Sequence, residues 1–222
     1  MSIVVSDNYL VNDLLSQDNG VIEKCLSNTW IDEFVEQFKN HNPKTNSRGF
    51  DEWNTLLGSQ EHSRFSDMLQ QATGLGSEFG QPIIISLKLR PAHMGPHSDS
   101  PLTLDHGRPY KSYLIPLNNF NQSSTVVFNQ SSANIMGKNA LDDIIAQFPI
   151  LPDQINACQS PLLTHVPDEV KSRLSIKNNL VWQSNSILFW NSDLLHCSCS
   201  YQERFGMSRD AIVIWTVQST PN

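Results

Sequence analysis

The chain has 222 residues, of which 39% are hydrophobic and 17% charged, a composition that excludes a disordered polypeptide. Its length suits a single globular domain over residues 1–222 with a sizeable buried core. The net charge of −7 argues against phosphate-backbone binding, which needs clustered Lys and Arg, so we do not expect nucleic acid as a partner.

The ends and cysteines of the chain indicate a cytoplasmic protein. The first residues lack a basic segment followed by an apolar one, so no signal peptide is predicted. No apolar run reaches the length needed to cross a bilayer, so no membrane association is expected. Without a secretory context, Cys25, Cys158, Cys197 and Cys199 are expected to be reduced.

Residues 1–80 predict a mainly helical lead-in to the domain. After a short β-like run at Ile3–Val5, helical patterning covers Val21–Leu26 and Trp30–Phe38, with apolar groups on one face. A second helical piece is predicted over Gln60–Ala72.

From residue 81 to residue 218 the pattern changes to β structure. Many short strands with turn residues between them predict a sandwich or barrel. The predicted strands are Pro82–Leu89, Tyr110–Leu117, Thr125–Phe128, Ser186–Trp190, Leu194–Ser200 and Asp210–Gln218.

Residues of about 130–180 interrupt this β pattern and are interpreted as an insertion. Within it, Ala140–Phe148 is predicted to form a short helix, and the remainder is rich in proline and loop-like. An insertion of this length either covers a site opening or forms a plain surface excursion.

A candidate pair of metal ligands follows the first long strand. If Pro96–Ser100 is extended, His97 and Asp99 project to the same side, since side chains two apart share a face. One imidazole and one carboxylate are two thirds of a facial site of the two-His, one-carboxylate kind. Such a site needs one more histidine from elsewhere in the chain.

His196 is the strongest candidate for that third ligand. It follows a hydrophobic strand and a tight turn, at the start of a second strand. By strand alternation Cys197 and Cys199 face away from it, which argues against a Cys-x-Cys zinc site joined to this histidine. Taken alone, His196 is better interpreted as an interior histidine whose nitrogens are hydrogen-bonded. His93 and His106 could line the same cavity, but they are more simply interpreted as loop residues.

Arg209 stands at the head of an apolar strand and shares its face with Ala211 and Trp215. An arginine on a core strand needs an anionic partner, because an unpaired buried charge costs several kcal/mol. A bound dicarboxylate would pair with it bidentately. The alternative is an exposed position paired with Glu203 or Asp210.

The order His97-Ser98-Asp99, then His196 after a Leu-Phe-Trp strand, then Arg209 resembles the Fe(II)- and 2-oxoglutarate-dependent dioxygenases. Within them it is similar to the prolyl-hydroxylase and phytanoyl-hydroxylase-like oxygenase superfamily. The resemblance implies a mainly β fold with flanking helices, the double-stranded β-helix or jelly roll that is also found in cupins.

The resemblance also implies roles for individual residues. His97, Asp99 and His196 would hold Fe(II). Arg209 would bind the far carboxylate of 2-oxoglutarate, and Arg204 is the alternative residue for this contact. A hydroxyl or amine on the strand after the His-x-Asp motif would help to bind 2-oxoglutarate. Tyr113 is preferred to Lys111 for this role. Dioxygen would then hydroxylate an unidentified small-molecule or peptide substrate, with release of succinate and CO2.

One departure from the family pattern and two other functions remain to be considered. Many members of the family carry Ser or Thr where this chain has Ala211, so part of the carboxylate contact is in doubt. The alternatives are a cupin-like small-molecule binding or sensing module without oxidative turnover, and a metal-dependent hydrolase or isomerase on a cupin scaffold. No dimerisation stripe is visible, so the oligomeric state is left open.

Overall fold

The computed structural model of the chain describes residues 16–23, 26, 29, 31–32, 44–45, 51–52, 83–88, 95–100, 108–117, 123–200 and 208–218. Within these ranges it contains ten strands and two α-helices. The strands are β1 (Asn19–Ile22), β2 (Lys44–Thr45), β3 (Asp51–Glu52), β4 (Ile83–Lys88), β5 (Arg108–Pro116), β6 (Ser124–Ser131), β7 (Ile176–Val181), β8 (Ile187–Asn191), β9 (Leu194–Ser198) and β10 (Ser208–Gln218), and the helices are α1 (Ala140–Gln147) and α2 (Asp168–Lys171).

The strands form two antiparallel sheets. The larger has the order β1-β8-β5-β10-β4-β3-β2, and the smaller has the order β7-β6-β9. His97 extends the smaller sheet at its β9 edge, where its backbone pairs with that of His196. This architecture is a jelly roll, as the sequence predicts.

Side chains from both sheets form one shared core. Alternate positions of each strand point inward, so the sheets bury their facing apolar side chains against each other. The core is unusually rich in tryptophan, with three indoles among its buried residues. Its buried members are Leu114, Val127, Leu180, Trp182, Leu188, Trp190, Leu194, Ala211, Val213 and Trp215.

A second core lies on the outer face of the smaller sheet. There the segment between β6 and β7, including α1 and α2, packs against outward-facing side chains of β6 and β9. The segment contributes fully buried residues, so it forms a packed layer rather than a plain surface excursion. Its buried members are Ile135, Ala140, Ile144, Ala157, Leu163, Val166, Val170 and Leu174, against Val126, Phe128, Leu195, Cys197 and Cys199.

The six predicted strands are confirmed as β4, β5, β6, β8, β9 and β10, with ends shifted by at most three residues. The helix predicted at Ala140–Phe148 is confirmed as α1. The strand β7 was missed and assigned to the insertion, because Lys177, Asn178 and Asn179 are exposed and break the apolar alternation.

The helical prediction over Val21–Leu26 is wrong at its start. Asn19–Ile22 forms strand β1, which pairs with β8 at the edge of the larger sheet. Strand pairing outweighs a weak helical pattern here, because β-branched side chains at 21 and 22 fit a sheet surface. The predictions for Ile3–Val5 and Gln60–Ala72, and most of that for Trp30–Phe38, lie outside the described residues.

No helix in the described ranges is both long enough and apolar enough to span a bilayer.

The buried layer between β6 and β7 predicts a large difference between two isoleucines of the same segment. Ile144 is fully buried in α1, whereas Ile150 is 66% exposed. We expect Ile144→Ala to lower the free energy of unfolding by about 2–5 kcal/mol, since it leaves a cavity. Ile150→Ala should change it by less than about 0.5 kcal/mol.

Urea denaturation followed by circular dichroism measures both values. Equal effects of the two substitutions would show that this segment is not part of the folded core.

Candidate metal centre

His97 and His196 are brought together by their own backbones. The N–H of each donates to the carbonyl of the other, at 3.0 Å from His97 and 2.9 Å from His196. Residues directly opposite each other in an antiparallel pair project to the same face. The two imidazole rings consequently lie with their centroids 4.4 Å apart.

Asp99 reaches the same space by a different route from the one expected. Only His97 has strand pairing, while Asp99 lies in a bend and Ser100 in a turn, so the segment is not extended throughout. The backbone N–H groups of Asp99 and Ser100 both donate to the carbonyl of Ser192, at 2.8 and 3.0 Å. These bonds fix the main chain of Asp99 beside the turn that precedes β9.

The three side chains form a compact and buried cluster. Nε2 of His196 lies 3.6 Å from Oδ2 of Asp99, and Nε2 of His97 lies 3.9 Å from Oδ1. Ligand atoms about 2.0–2.2 Å from one ion lie within about 4.4 Å of each other, so both separations suit a shared metal. All three residues are at most 8% exposed.

The second nitrogen of each histidine is already occupied by a carbonyl. Nδ1 of His97 bonds the Gly95 carbonyl at 2.8 Å, and Nδ1 of His196 bonds the Leu194 carbonyl at 3.1 Å. A carbonyl oxygen only accepts, so in the neutral rings each Nδ1 carries the hydrogen. The lone pair is then on Nε2, facing Asp99, which is the arrangement that metal-binding histidines adopt.

The environment of Asp99 favours its charged form. Burial alone would raise the pKa of Asp99, but His196, His97 and a hydrogen bond from Ser112 outweigh it, so the pKa lies below its usual range. The Ser112 hydroxyl donates to Oδ2 at 2.6 Å. The histidines lower this pKa through the positive charge that they can carry. With both rings neutral, a carboxylate and two imidazole lone pairs converge in the interior, and a cation is the partner that all three can share.

Two buried indoles border the cluster. Trp190, Ser112 and Trp215 are register partners on β8, β5 and β10. The Trp190 ring lies 4.6 Å from that of His196, centroid to centroid. The Trp215 indole lies near enough to lower the pKa of Asp99, but its N–H has no hydrogen-bond partner among the described residues.

Tyr113 and Lys111 are not brought to this cluster. Because Ser112 faces Asp99, its neighbours on β5 point to the opposite face of the sheet. Tyr113 packs with its ring 6.5 Å from that of Phe189, and Nζ of Lys111 donates to the Gln17 carbonyl at 2.8 Å. The cosubstrate contact that the resemblance implied for these residues stays a prediction.

Arg209 is described only in its backbone, which pairs with Leu87 of β4. Strand alternation assigns its position to the same face of β10 as Ala211 and Val213, which belong to the shared core. The reach of its guanidinium toward the cluster stays a prediction. Arg204, His93 and His106 lie outside the described residues.

Sequence reasoning missed the serines that support Asp99. Ser112 is a small polar residue in the middle of an apolar strand, at a position that strand alternation turns inward. That was an available signal, because a buried hydroxyl needs a partner. Ser192 gave no such signal, since serine is ordinary in a turn.

No family model and no curated protein sequence matches this chain. Comparison with solved structures does find similar folds. HygX from Streptomyces hygroscopicus, solved with nickel and 2-oxoglutarate bound, aligns over 95% of this chain and 86% of its own at 13% identity, with a TM-score of 0.58.

Two further structures show the same fold. The non-heme alpha ketoglutarate dependent epimerase SnoN from nogalamycin biosynthesis aligns over 94% of this chain and 83% of its own, at 12% identity and a TM-score of 0.54. A prolyl-4-hydroxylase from Pseudomonas putida aligns over 96% of this chain and 99% of its own, at 10% identity and a TM-score of 0.51. At these identities the likeness establishes a shared jelly-roll fold. With the buried His-Asp-His cluster it defines the chain as a jelly-roll protein carrying a candidate metal centre.

The cluster predicts that the protein binds one divalent metal ion per chain. Replacement of His97, Asp99 or His196 by alanine should in each case weaken metal binding by at least about 100-fold. The expected effect is large because a metal ligand is lost, and even the loss of a residue that only hydrogen-bonds to a ligand typically weakens metal affinity by about 10- to 100-fold. Anaerobic dialysis against Fe(II) followed by elemental analysis measures the stoichiometry.

His165→Ala is the matched control. His165 contacts the Ser200 hydroxyl at 2.7 Å and does not belong to the cluster, so this variant should keep its metal. Loss of metal from the control, or its retention in the three ligand variants, would contradict the assignment.

Proposed function

We propose that this protein is a non-haem Fe(II)- and 2-oxoglutarate-dependent dioxygenase that hydroxylates a small molecule or peptide and releases succinate and CO2. The observation that carries the proposal is the buried cluster of His97, Asp99 and His196. Its place inside a jelly roll shared with HygX and SnoN, which are named for 2-oxoglutarate binding and dependence, supports the proposal.

The donor set suits ferrous iron. Two neutral imidazoles and one carboxylate form a facial triad that leaves positions open for a chelating keto acid and for dioxygen. Soft thiolate ligands are not part of the cluster, because Cys197 and Cys199 pack into the core on the outer face of the smaller sheet. Bound iron and 2-oxoglutarate would supply the oxidising chemistry, and the protein would supply orientation and a water-poor site.

The surroundings of the cluster suit that task. Trp190 and Trp215 are 2% and 7% exposed and sit on the inner face beside the ligands, so they exclude water from this side of the centre. The hydrogen bond from Ser112 favours the ionised form of Asp99, which is the form that binds a metal.

We assign the far carboxylate of 2-oxoglutarate to Arg209. The strand register places this position at one end of β10 and on its inner face, whereas Trp215 lies further along the same face near Asp99. A cosubstrate bound at the cluster would then extend along the core toward the start of β10. A guanidinium there would grip a carboxylate through two parallel hydrogen bonds.

The fold alone does not determine which oxidation of the substrate follows turnover of 2-oxoglutarate. SnoN is named as an epimerase and another similar structure as a prolyl-4-hydroxylase, so proteins with this fold differ in outcome. We favour hydroxylation, which is the outcome that the sequence resemblance implies.

Turnover of the cosubstrate tests the proposal without knowledge of the substrate. The purified protein, loaded with Fe(II) under argon and then exposed to air with 2-oxoglutarate and ascorbate, should release succinate slowly in the uncoupled reaction. His97→Ala should abolish the release. Metal binding and 2-oxoglutarate binding without succinate or oxygen consumption, with or without candidate substrates, would instead identify a cupin-like binding module.

Arg209 and Arg204 are distinguished by the same assay. Arg209→Gln should raise KM for 2-oxoglutarate by about 10- to 100-fold, since a hydrogen-bonded charge pair is worth about 1.5–3 kcal/mol. Arg204→Gln should change it by less than about threefold. The reverse result would transfer the carboxylate contact to Arg204.

A further inference from the structure

We propose that Ser112 is a positioning residue for the metal ligand Asp99, and that the hydroxyl of Ser192 orients it. The inference rests on the metal centre of the proposed function. Ser112 is fully buried in the middle of β5, and its Oγ lies 2.6 Å from Oδ2 of Asp99. The Trp215 indole also lowers the pKa of Asp99, but among the described side chains Ser112 is the one whose hydrogen bond to this carboxylate has a measured length.

The direction of the hydrogen bonds follows from the single hydrogen that a serine hydroxyl carries. Ser112 donates this hydrogen to Oδ2 of Asp99. The Ser112 oxygen also lies 2.9 Å from Oγ of Ser192. Because Ser112 has already used its hydrogen, Ser192 is the donor in that second bond. The result is a chain from Ser192 to Ser112 to Asp99, whose bonds strengthen one another in a buried site.

Ser192 holds the backbone of the same ligand as well. Its carbonyl accepts from the N–H groups of Asp99 and Ser100, while its own N–H donates to the Tyr110 carbonyl at 3.0 Å. One turn residue therefore fixes both the main chain and, through Ser112, the side chain of Asp99.

The position of Ser192 links Asp99 to the other two ligands. It lies in the turn between β8 and β9, and β9 carries His196, which is paired in turn with His97. Without Ser112 the carboxylate loses its 2.6 Å hydrogen bond, so its orientation toward the imidazoles is less tightly fixed. The ligand would then be present but poorly oriented.

Ser98→Ala is a matched control for Ser112→Ala. Both serines are fully buried, and Ser98 is the chain neighbour of Asp99, but its hydroxyl donates to the Ile135 carbonyl at 3.1 Å rather than to a ligand. Each substitution removes one buried hydroxyl and one hydrogen bond. Only the loss at 112 should alter the metal centre.

The experiment is an anaerobic titration of the full-length protein with Co(II), read from the visible d–d absorption that reports ligand geometry. We expect Ser112→Ala to raise Kd by about 10- to 100-fold and to change the d–d spectrum, as outer-shell substitutions do. Ser98→Ala should stay within about threefold of the native protein, with an unchanged spectrum.

Ser192→Ala and the double variant test the chain of hydroxyls. Ser192→Ala should weaken Co(II) binding, and adding it to Ser112→Ala should have little further effect, since both act through one bond to Asp99. Additive effects of the two substitutions would overturn the chain of hydrogen bonds from Ser192 through Ser112 to Asp99. Equal Kd values for Ser112→Ala and Ser98→Ala would overturn the positioning role of Ser112.

If the native protein binds no Co(II), the metal centre and the proposed function fail together. If the native protein binds Co(II) but its Fe(II)-loaded form releases no succinate, only the proposed function is contradicted.

Discussion

The backbone pairing of His97 with His196 is the contact on which the candidate site depends. It joins the segment before β5 to the edge of the smaller sheet, and it fixes the faces of both imidazoles by the geometry of the ladder rather than by side-chain contacts. A shift of one residue in this register would turn the rings to opposite faces and destroy the cluster. Asp99 is then added by a separate anchor, the Ser192 carbonyl.

With both rings neutral, the cluster brings two imidazole lone pairs and a carboxylate together in the interior, an arrangement that a cation stabilises. Both Nδ1 atoms bond to backbone carbonyls, and the Ser112 hydroxyl bonds to one carboxylate oxygen of Asp99. The two Nε2 atoms lie 3.6 and 3.9 Å from the carboxylate oxygens of Asp99, in the space where a metal ion would be held.

The shared fold and the site carry different parts of the functional argument. Structural similarity at 10–13% identity establishes the jelly roll, and a fold of this kind hosts several chemistries. The reaction class is argued from the donor set, the dry surroundings and the register of Arg209. The segment between β6 and β7 does not enter that argument directly, because it packs on the outer face of the smaller sheet, where it buries the thiols that flank His196 and keeps them from the centre.

The sequence by itself determined most of the strands and the identity of the three clustered residues. Alternation of apolar residues marks β4, β5, β6, β8, β9 and β10, and the same alternation separates His196 from Cys197 and Cys199. Only the tertiary structure decided which face of β5 meets the site. The resemblance favoured Tyr113 on this strand, whereas the register with β8 and β10 turns Ser112 toward Asp99. Such a choice depends on pairing between distant segments, and so does the Ser192 anchor. Local residue patterns mark Ser112 only as a polar residue in an apolar strand, and they give no signal for Ser192.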